Sequence, residues 1–447
     1  MRYVVNGGAI WDNDGSLIRN GTIIVEEDKI TKVDDTASIK SKPSDETIDC
    51  KDKLIIPGMV NAHTHLYSTL SRGLMLPGYS PDNFLEILRG LWWKLDRNLT
   101  EETIGISALV GGIEFLQNGV TTIFDHHSSP RSTSGSLEII AGELIDKLGL
   151  RSSLCYEVTD RNGKDETELG IRENLNWLST VSNRKDDMAA GQFGLHASFT
   201  LSTKTLKEIG SYLSDINAGI HVHTAEGQED QQDALTNYGT RVVNRLNNYN
   251  LLNDKSIVVH GIHLAESEKD LLADLNTTLV HNPRSNMNNA VGVADVPGML
   301  RRGIPVALGN DGMGFDMIQE FQTASLLQKI YLSDPNALAI DKIGEMLFNN
   351  NYQLANKSFG AKIGKIKPDY KADFVVMDYQ PPTPLKPENI YNHFLYGFSG
   401  NNHKVETVFI DGKPVMRDSV IIGIDEDDIY RNARELTSSL WNKIQNV

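Results

Sequence analysis

The sequence predicts an α/β protein: a (β/α)8 TIM-like barrel with a small β-sandwich domain formed from both chain ends. Two observations predict the barrel. Eight short apolar runs, each typical of a buried strand, recur between about residues 58 and 362, with helical patterns between them. Ten of the twelve histidines fall at or just after the ends of these runs. In a parallel barrel those ends meet at one mouth, where side chains converge.

The eight runs can be placed along the chain. The predicted strand ends are 62–63, 124–126, 154–156, 194–196, 221–223, 258–260, 279–281 and 308–311. The clearest helical periodicity covers 136–148, 205–213, 231–246 and 317–331. An open, doubly wound sheet is the alternative architecture, but no glycine-rich phosphate loop follows an early strand, so the closed barrel is favoured.

Both chain ends carry the turn signals of β-hairpins. These signals are Asn13-Asp14-Gly15, Asn20-Gly21, Glu27-Asp28 and Asp411-Gly412. Neither end is large enough to bury a core alone, so we expect the two ends to join. The predicted domains are therefore 1–57, the N-terminal part of the β-sandwich; 58–362, the barrel; and 363–447, the C-terminal part of the sandwich plus an amphipathic terminal helix that starts near Asp425.

Composition narrows the class of partner. With 43 basic and 59 acidic residues the net charge is -16, which argues against nucleic acid or an anionic membrane as partner. No apolar run approaches the ~20 residues of a membrane span, and the N-terminus lacks a signal-peptide pattern. We therefore expect a cytoplasmic protein. The two cysteines, Cys50 and Cys155, exclude a disulfide framework.

A His-x-His pair follows the first barrel strand. His63 and His65 are two residues apart, so in an extended chain their imidazoles point to the same side. Two imidazoles at one strand end can provide half of a metal coordination sphere. The alternative is a pair of buried histidines that hydrogen-bond to the backbone. The concentration of histidines at the other strand ends favours the metal.

Several motifs along the barrel resemble a known family. PGMVNAHTH, HTAE at 223–226, VVHGIHL, HNPRSN and LGNDG, in this order, are similar to the amidohydrolase superfamily and to its mononuclear-metal aminohydrolase and chlorohydrolase branch. Within that branch, FDHHSSP, CYEVTDRNG and GLHASFTLS resemble the SsnA aminohydrolases. The resemblance covers essentially the whole chain. One departure is Asn310, where relatives usually have threonine before the aspartate, and it bears on ligand orientation.

The resemblance implies one divalent metal ion bound by His63, His65, His223 and Asp311. Three imidazoles and one carboxylate suit zinc, the preferred ion, or iron, and they leave a position for water. With a net charge of about +1, such a centre lowers the pKa of that water to about 7. His221 lies two residues before His223 and could face the same way. His223 is preferred because it is nearer the strand end.

Three residues are the candidate catalytic groups. Glu226 follows His223 by three residues, and a carboxyl group beside the metal could protonate a ring nitrogen and then the leaving ammonia. Asp311 would also accept the proton of the incoming water. The resemblance implies that His260 hydrogen-bonds to the attacking oxygen and polarises it. The alternative for Glu226 is a surface glutamate at a helix start.

The remaining polar residues have less certain roles. His196, by resemblance, and His127 are the candidate substrate contacts, with at most one of the adjacent His126 and His127 pointing inward. His263 is expected near the site without ligating the metal. Glu157, Asp160 and Arg161 could recognise the polar edge of a heterocycle, but pairing with each other in a solvated loop is favoured. The insertion at 82–99 could cap the pocket or form a subunit contact, but ordinary packing is favoured.

The sequence thus predicts a metal-dependent hydrolytic deaminase. Its partner would be a small-molecule heterocycle of purine, pterin or pyrimidine type, and a homo-oligomer is allowed. The alternatives are a cyclic amidohydrolase, a triazine-type chlorohydrolase and, in another class, a non-catalytic barrel that binds a partner. Cyclic amidohydrolases generally bridge two metals with a lysine of the fourth strand, whereas the stretch 192–198 contains none.

Overall fold

The structure is a computed structural model that describes residues 1–39, 42–398 and 403–445. The described strands are β1 (Arg2–Trp11), β2 (Leu17–Glu26), β3 (Lys29–Asp35), β4 (Glu46–Asp49), β5 (Leu54–Pro57), β6 (Met59–Thr64), β7 (Val120–His127), β8 (Arg151–Tyr156), β9 (Ala189–Gly191), β10 (Phe193–Ala197), β11 (Ile220–Thr224), β12 (Ile257–His260), β13 (Thr278–His281), β14 (Val306–Leu308), β15 (Phe374–Asp378), β16 (Lys404–Ile410), β17 (Lys413–Arg417) and β18 (Val420–Ile421).

The described α-helices are α1 (Phe84–Ile87), α2 (Trp93–Asp96), α3 (Glu101–Gln117), α4 (Ser136–Ala141), α5 (Lys164–Asn183), α6 (Thr203–Asp215), α7 (Gln228–Tyr238), α8 (Val242–Asn247), α9 (Glu266–Asp274), α10 (Pro283–Asn288), α11 (Val296–Arg301), α12 (Met317–Leu332), α13 (Ile340–Glu345), α14 (Asn351–Phe359), α15 (Ile390–Asn392) and α16 (Glu426–Gln445). Short 3₁₀ and π-helical segments extend or connect some of them. None of the helices in the described ranges has the length and apolarity needed to cross a membrane.

Parallel strands form the barrel. One set runs β6-β7-β8-β9 and another β10-β11-β12-β13-β14. Isolated parallel bridges join the sets at both seams, Thr64 to Asp311 and Val158 to Leu195. Only Gln192 separates β9 from β10, and the two together form one strand of the barrel. The barrel therefore has eight strand positions. Each predicted strand end overlaps the end of one of these strands or directly follows it, and the predicted fold class is confirmed.

One helix predicted from the sequence is two helices in the structure. The periodicity over 231–246 continues across Gly239, but α7 ends at Tyr238 and α8 begins at Val242. Gly239 adopts a left-handed conformation with φ of 64°, and its backbone N–H bonds back to the carbonyl of Leu235. Glycine reaches this conformation without steric cost and therefore ends the helix.

The β domain contains strands from both chain ends. Nine strands form one sheet in the order β18-β17-β16-β15-β5-β1-β2-β3, with β4 also pairing with β1. The hairpin turns predicted at Asn13-Asp14-Gly15, Glu27-Asp28 and Asp411-Gly412 are present. The turn predicted at Asn20-Gly21 is wrong, because Gly21 lies inside β2. There a Cβ atom would come within 2.4 Å of Ile10 Cδ1, so this glycine serves close packing.

A buried ion pair connects the barrel with the β domain. Arg151, at the start of β8, has a fully buried side chain whose Nε lies 3.0 Å from Asp373 Oδ2. Its Nη1 lies 2.6 Å from Asp187 Oδ1. Burial opposes the charge, but Asp373 and Asp187 raise the pKa of the guanidinium above its ordinary value. The domain boundaries at 57/58 and 362/363 remain our proposal.

Replacing Arg151 by methionine should destabilise the fold. The carboxylate of Asp373 would stay buried without its counter-charge, so we expect the free energy of unfolding to fall by about 3–5 kcal/mol. Urea denaturation at fixed metal loading measures this change. The control Arg172→Met, at a side chain that is 64% exposed, should change it by less than about 0.5 kcal/mol. Equal effects of the two variants would contradict a stabilising role for the buried pair.

The terminal helix packs on the barrel as expected. Ala433, Leu440 and Ile444 form the buried side of α16. Trp441 Nε1 donates a 2.7 Å hydrogen bond to the carbonyl of Leu70. Leu70 belongs to the 3₁₀ segment Leu66–Ser71, which directly follows the His-x-His pair, so the helix supports the segment beside the barrel mouth.

Candidate active site

The four predicted ligands meet at the mouth of the barrel. His65 Nε2 lies 3.2 Å from His223 Nε2 and 3.0 Å from Asp311 Oδ1. His63 Nε2 lies 3.6 Å from the same carboxylate oxygen. The four side chains come from the ends of β6 and β11 and from the loop after β14, so strands distant in sequence bring them to one point.

Hydrogen bonds behind the imidazoles fix their orientation. His65 Nδ1 lies 2.6 Å from the carbonyl of His126, and His223 Nδ1 lies 2.9 Å from the carbonyl of His196. Because a carbonyl only accepts, each Nδ1 carries the proton and each Nε2 presents a lone pair to the centre. His63 Nε2 is buried and has no hydrogen-bond partner in the described part of the chain. This donor set fits a divalent cation.

Electrostatics at this point favour positive charge. Burial alone would raise the pKa of the Asp311 carboxyl, but the neighbouring imidazoles of His63 and His65 hold it well below its ordinary value. Burial opposes a charge on His65, yet Asp311 raises the pKa of that imidazole to about 9. Without a metal, a proton between His65 and Asp311 therefore supplies the positive charge. A cation bound there would displace that proton.

Backbone strain accompanies two of the side chains. His260 and Asp311 have φ of 71° and 55°, a left-handed conformation that residues other than glycine rarely adopt. Such strain persists only where the surrounding structure imposes it, and it concentrates at functional sites. Here it turns the last residue of β12 and the loop after β14 toward the mouth.

Glu226 and His260 lie next to each other at the same centre. Glu226 Oε2 is 3.4 Å from His260 Nε2, and both can share a cation-sized space with Asp311. His260 Nδ1 lies 2.8 Å from Asn286 Oδ1, which fixes the ring. Burial raises the pKa of the Glu226 carboxyl to about 7, despite the opposing effect of His260. A carboxyl group with such a pKa can accept and return a proton at neutral pH.

A cavity opens from this centre. It contains about 860 Å³ of space outside the atoms, part of it open to solvent. Apolar and aromatic side chains make up much of its wall: Tyr67, Phe84, Leu88, Trp92, Trp93, Phe199 and Met313. His196 also lines it, and burial lowers the pKa of this imidazole to about 4, so the ring is neutral.

The geometry matches a known family. The model of the Amidohydrolase family matches residues 54–415 of the chain. The 5'-deoxyadenosine deaminase of Methanobrevibacter smithii is 30% identical over 428 residues, which cover 94% of this chain and 94% of that protein. The chain belongs to the amidohydrolase family.

A second relative supports this membership, and a solved structure shares the fold. The 5-methylthioadenosine/S-adenosylhomocysteine deaminase of Thermococcus sibiricus is 30% identical over 93% of this amidohydrolase and 94% of its own length. The crystal structure of an adenosine deaminase from Xanthomonas campestris, with bound zinc, shares the fold with a TM-score of 0.84 at 23% identity, covering 100% of this chain and 99% of that one. The finer likeness to the SsnA aminohydrolases stays a prediction.

Not every histidine predicted to lie at the active site of this amidohydrolase reaches the cavity. His127 is buried, but it does not line the cavity, and its Nε2 lies 2.9 Å from Ser129 Oγ. His126 points into the barrel instead, with Nε2 at 3.1 Å from the carbonyl of His221. His263 Nε2 lies 2.9 Å from the carbonyl of Val291, so this ring serves the loop after β12.

The structure adds cavity residues that the sequence did not reveal. The expected pairing of Glu157 with Arg161 is present at 3.6 Å, and Arg161 pairs with Asp96 as well. The expected solvated loop is wrong for Glu157, which is buried and lines the cavity. Ordinary packing is likewise wrong for one side of the insertion at 82–99, where Trp92 and Trp93 face the cavity. The only signal in the sequence was the presence of aromatic and acidic residues close together in this short insertion. That signal does not say which part of the protein the insertion contacts.

Asn310 has a defined structural role in place of the usual threonine. Its Oδ1 accepts a 2.6 Å hydrogen bond from Asn61 Nδ2, and its own Nδ2 donates to the carbonyl of Gly314. Asn61 lies on β6, two residues before His63. The amide therefore links the two strand ends that supply His63 and Asp311, which supports their relative orientation.

A second grouping of possible ligands lies beside the first. His65, His126, Glu157 and His223 also bring donor atoms close together. Two of these residues, His65 and His223, belong to both groupings. An ion bound by one grouping would therefore prevent binding of an ion by the other. Only the first grouping includes the buried, unpartnered Nε2 of His63 and a carboxylate already hydrogen-bonded by Ser285 Oγ. That the cation binds to the first grouping is our proposal.

His221 should control the metal affinity through His63. Its Nε2 lies 2.9 Å from His63 Nδ1, so it can accept the proton of that nitrogen and keep Nε2 free. We expect His221→Leu to weaken metal binding by about 10–100-fold, the usual effect of losing such a partner. His221→Gln, which retains an acceptor, should recover part of the loss. Chelator competition measures both variants, and wild-type affinity in His221→Leu would contradict this role.

Proposed function

We propose that this protein is a metal-dependent hydrolytic deaminase that acts on an amino-substituted nitrogen heterocycle and releases ammonia. One observation carries the proposal: the Glu226 carboxyl lies beside His260 and the ligand set, at the inner end of the cavity. A plain binding site would not need a buried carboxyl that titrates near pH 7 at this place.

His63, His65, His223 and Asp311 would hold one divalent cation. When bound, it would supply Lewis acidity and make a water molecule nucleophilic near neutral pH. Zinc is our proposed ion because three imidazoles and a carboxylate suit it, and the structurally similar adenosine deaminase contains zinc. Iron suits the same donors. We also propose a cytoplasmic location and no nucleic-acid partner, which the net charge of -16 supports.

The side chains of this centre would move two protons. In hydrolytic deamination, water adds to the ring carbon that bears the amino group while the adjacent ring nitrogen gains a proton. The carbon–nitrogen bond then breaks, and ammonia leaves with a second proton. Both protons come from the water: the Glu226 carboxyl would pass one to the ring nitrogen, and Asp311 would accept the other from the added oxygen and return it, through Glu226, to the leaving ammonia. His260 Nε2 would orient the attacking oxygen, with Asn286 holding its ring.

The substrate we propose is an adenine-type nucleoside or base. Two relatives that match nearly the whole chain are named deaminases of 5'-deoxyadenosine and of 5-methylthioadenosine/S-adenosylhomocysteine. The aromatic walls of the cavity suit a flat ring, and the neutral His196 can hydrogen-bond to it. Pterins and pyrimidines belong in the same test.

Ammonia release from a panel of aminated purines, pterins and pyrimidines tests this function. We expect turnover of at least one adenine compound by the zinc-loaded protein, with the matching oxo product. Chlorinated triazines and cyclic amides serve as comparison substrates. Halide release or ring opening without ammonia production would replace deamination by the corresponding alternative.

A further inference from the structure

Carboxylates line the cavity, and lysine and arginine side chains do not. Within residues 1–39, 42–398 and 403–445, no lysine or arginine contributes to the wall. The acidic residues that do are Asp96, Glu157, Glu226, Glu229, Asp230 and Asp311. Two of these belong to the proposed reaction centre. The other four have no part in the proposed chemistry. We therefore expect them to influence which ligands the cavity accepts.

Asp96 and Glu157 form a cluster around the Arg161 guanidinium, and Glu157 also lies 3.3 Å from His126 Nδ1 and 3.9 Å from His196 Nε2. The Arg161 guanidinium hydrogen-bonds to Asp96 Oδ2 and lies 3.6 Å from Glu157 Oε1. It packs over the Trp93 ring at 4.9 Å, behind the wall. All three charged side chains are at least nine-tenths buried. One guanidinium between two carboxylates leaves one negative charge in excess at the wall.

Carboxylates also lie at the helix end that faces the cavity. The backbone N–H groups at the start of α7 could attract a phosphate, as helix N-termini often do. Here, however, Asp230 accepts hydrogen bonds from the backbone N–H groups of Ala225 and Phe199. Glu229 lies over Gly227, within 2.4 Å of where a Cβ of that glycine would be. The protein's own carboxylates thus occupy this end.

We propose that the substrate is an uncharged or cationic base or nucleoside, and that Asp96 and Glu157 exclude nucleotides. This inference rests on the proposed function for its choice of heterocycles. Carboxylates accept hydrogen bonds from hydroxyl and N–H groups but repel phosphates, and the repulsion is strong where water is largely excluded. Sites that bind phosphates supply arginine or lysine, which this wall lacks.

Matched pairs of compounds test the inference. The pairs are adenosine, guanosine and cytidine, each with its 5'-monophosphate. For the zinc-loaded wild type, kcat/KM for ammonia release should be at least about 100-fold higher for the uncharged member of a pair that reacts. Calorimetry with zinc-loaded Glu226→Gln measures the same preference as binding, independently of turnover.

Two variants test the named residues. Asp96→Asn and Glu157→Gln each remove one negative charge and leave Arg161 less compensated, so each should reduce the discrimination by about ten-fold. Asp165→Asn makes the same change of net charge at an exposed residue that does not line the cavity, and it should leave the discrimination unchanged. If a cavity variant does not fold, the comparison of the paired compounds with the wild-type protein decides whether nucleotides are excluded.

The outcomes separate the inference from the proposed function. Similar kcat/KM or similar affinity for both members of a pair would overturn the inference and leave deamination in place. Binding of the uncharged members alone, with no ammonia from any compound, would support the inference and contradict deamination. Failure of every pair to bind or react would overturn the inference, because the cavity would then not accept bases or nucleosides.

Discussion

Removing the metal from the protein is expected to abolish ammonia release, and one equivalent of zinc per chain should restore it. The reason is geometric: His63, His65, His223 and Asp311 direct their donor atoms to one point, and no other group in the described cavity could activate water as strongly. Dialysis against a chelator, followed by metal analysis and an activity titration with zinc, measures the effect.

Substituting one ligand should reproduce the loss. Asp311→Asn retains the shape of the side chain but removes the only negative charge of the ligand set. We expect its affinity for zinc to fall by more than the ~100-fold typical of a supporting residue, and its metal content to fall well below one ion per chain. Full turnover after complete metal removal would contradict the metal's role, whatever the variant shows.

Glutamine at position 226 is expected to lower kcat by about 100- to 10,000-fold without loss of metal. The amide has nearly the shape of the carboxyl group but cannot accept and return a proton, and general acid–base catalysis contributes on this scale. Steady-state ammonia release and metal analysis on the same preparation separate the two effects. His260 and Asn289 contact Glu226, and we expect them to keep their positions in this variant because the amide has nearly the shape of the carboxyl group.

A control distinguishes this effect from a change of charge. Glu102→Gln alters an exposed glutamate in the first turn of α3 and should leave kcat within about two-fold of the wild type. A Glu226→Gln protein that retains its metal and the full kcat would contradict the proton-transfer role. Loss of both metal and activity would instead place Glu226 among the groups that hold the ion.

The barrel and its centre could be predicted because they follow local rules. Every barrel strand is an apolar run with a polar residue at or beyond its end, and parallel strand ends converge by geometry. Four residues spread from His63 to Asp311 could thus be placed at one mouth before any coordinates were known. The hairpin at Asp411-Gly412 follows an equally local signal.

The cavity wall could not be predicted, because its residues depend on tertiary contacts. Trp93 and Asp96 meet Glu157 and Arg161 only when the insertion folds over the third strand end. Residues His126 and His127 are adjacent, and local pattern does not say which one faces inward. Asn20-Gly21 has the composition of a turn, yet its glycine is required for contact with Ile10 inside a strand. In each case a long-range contact overrides the local preference.

Anomalous diffraction from crystals of the zinc-loaded protein tests the central claim most directly. The account predicts one zinc peak at about 2.0–2.2 Å from Nε2 of His63, His65 and His223 and from a carboxylate oxygen of Asp311. A peak held instead by His65, His126, Glu157 and His223, or no ordered ion at the barrel mouth, would contradict it.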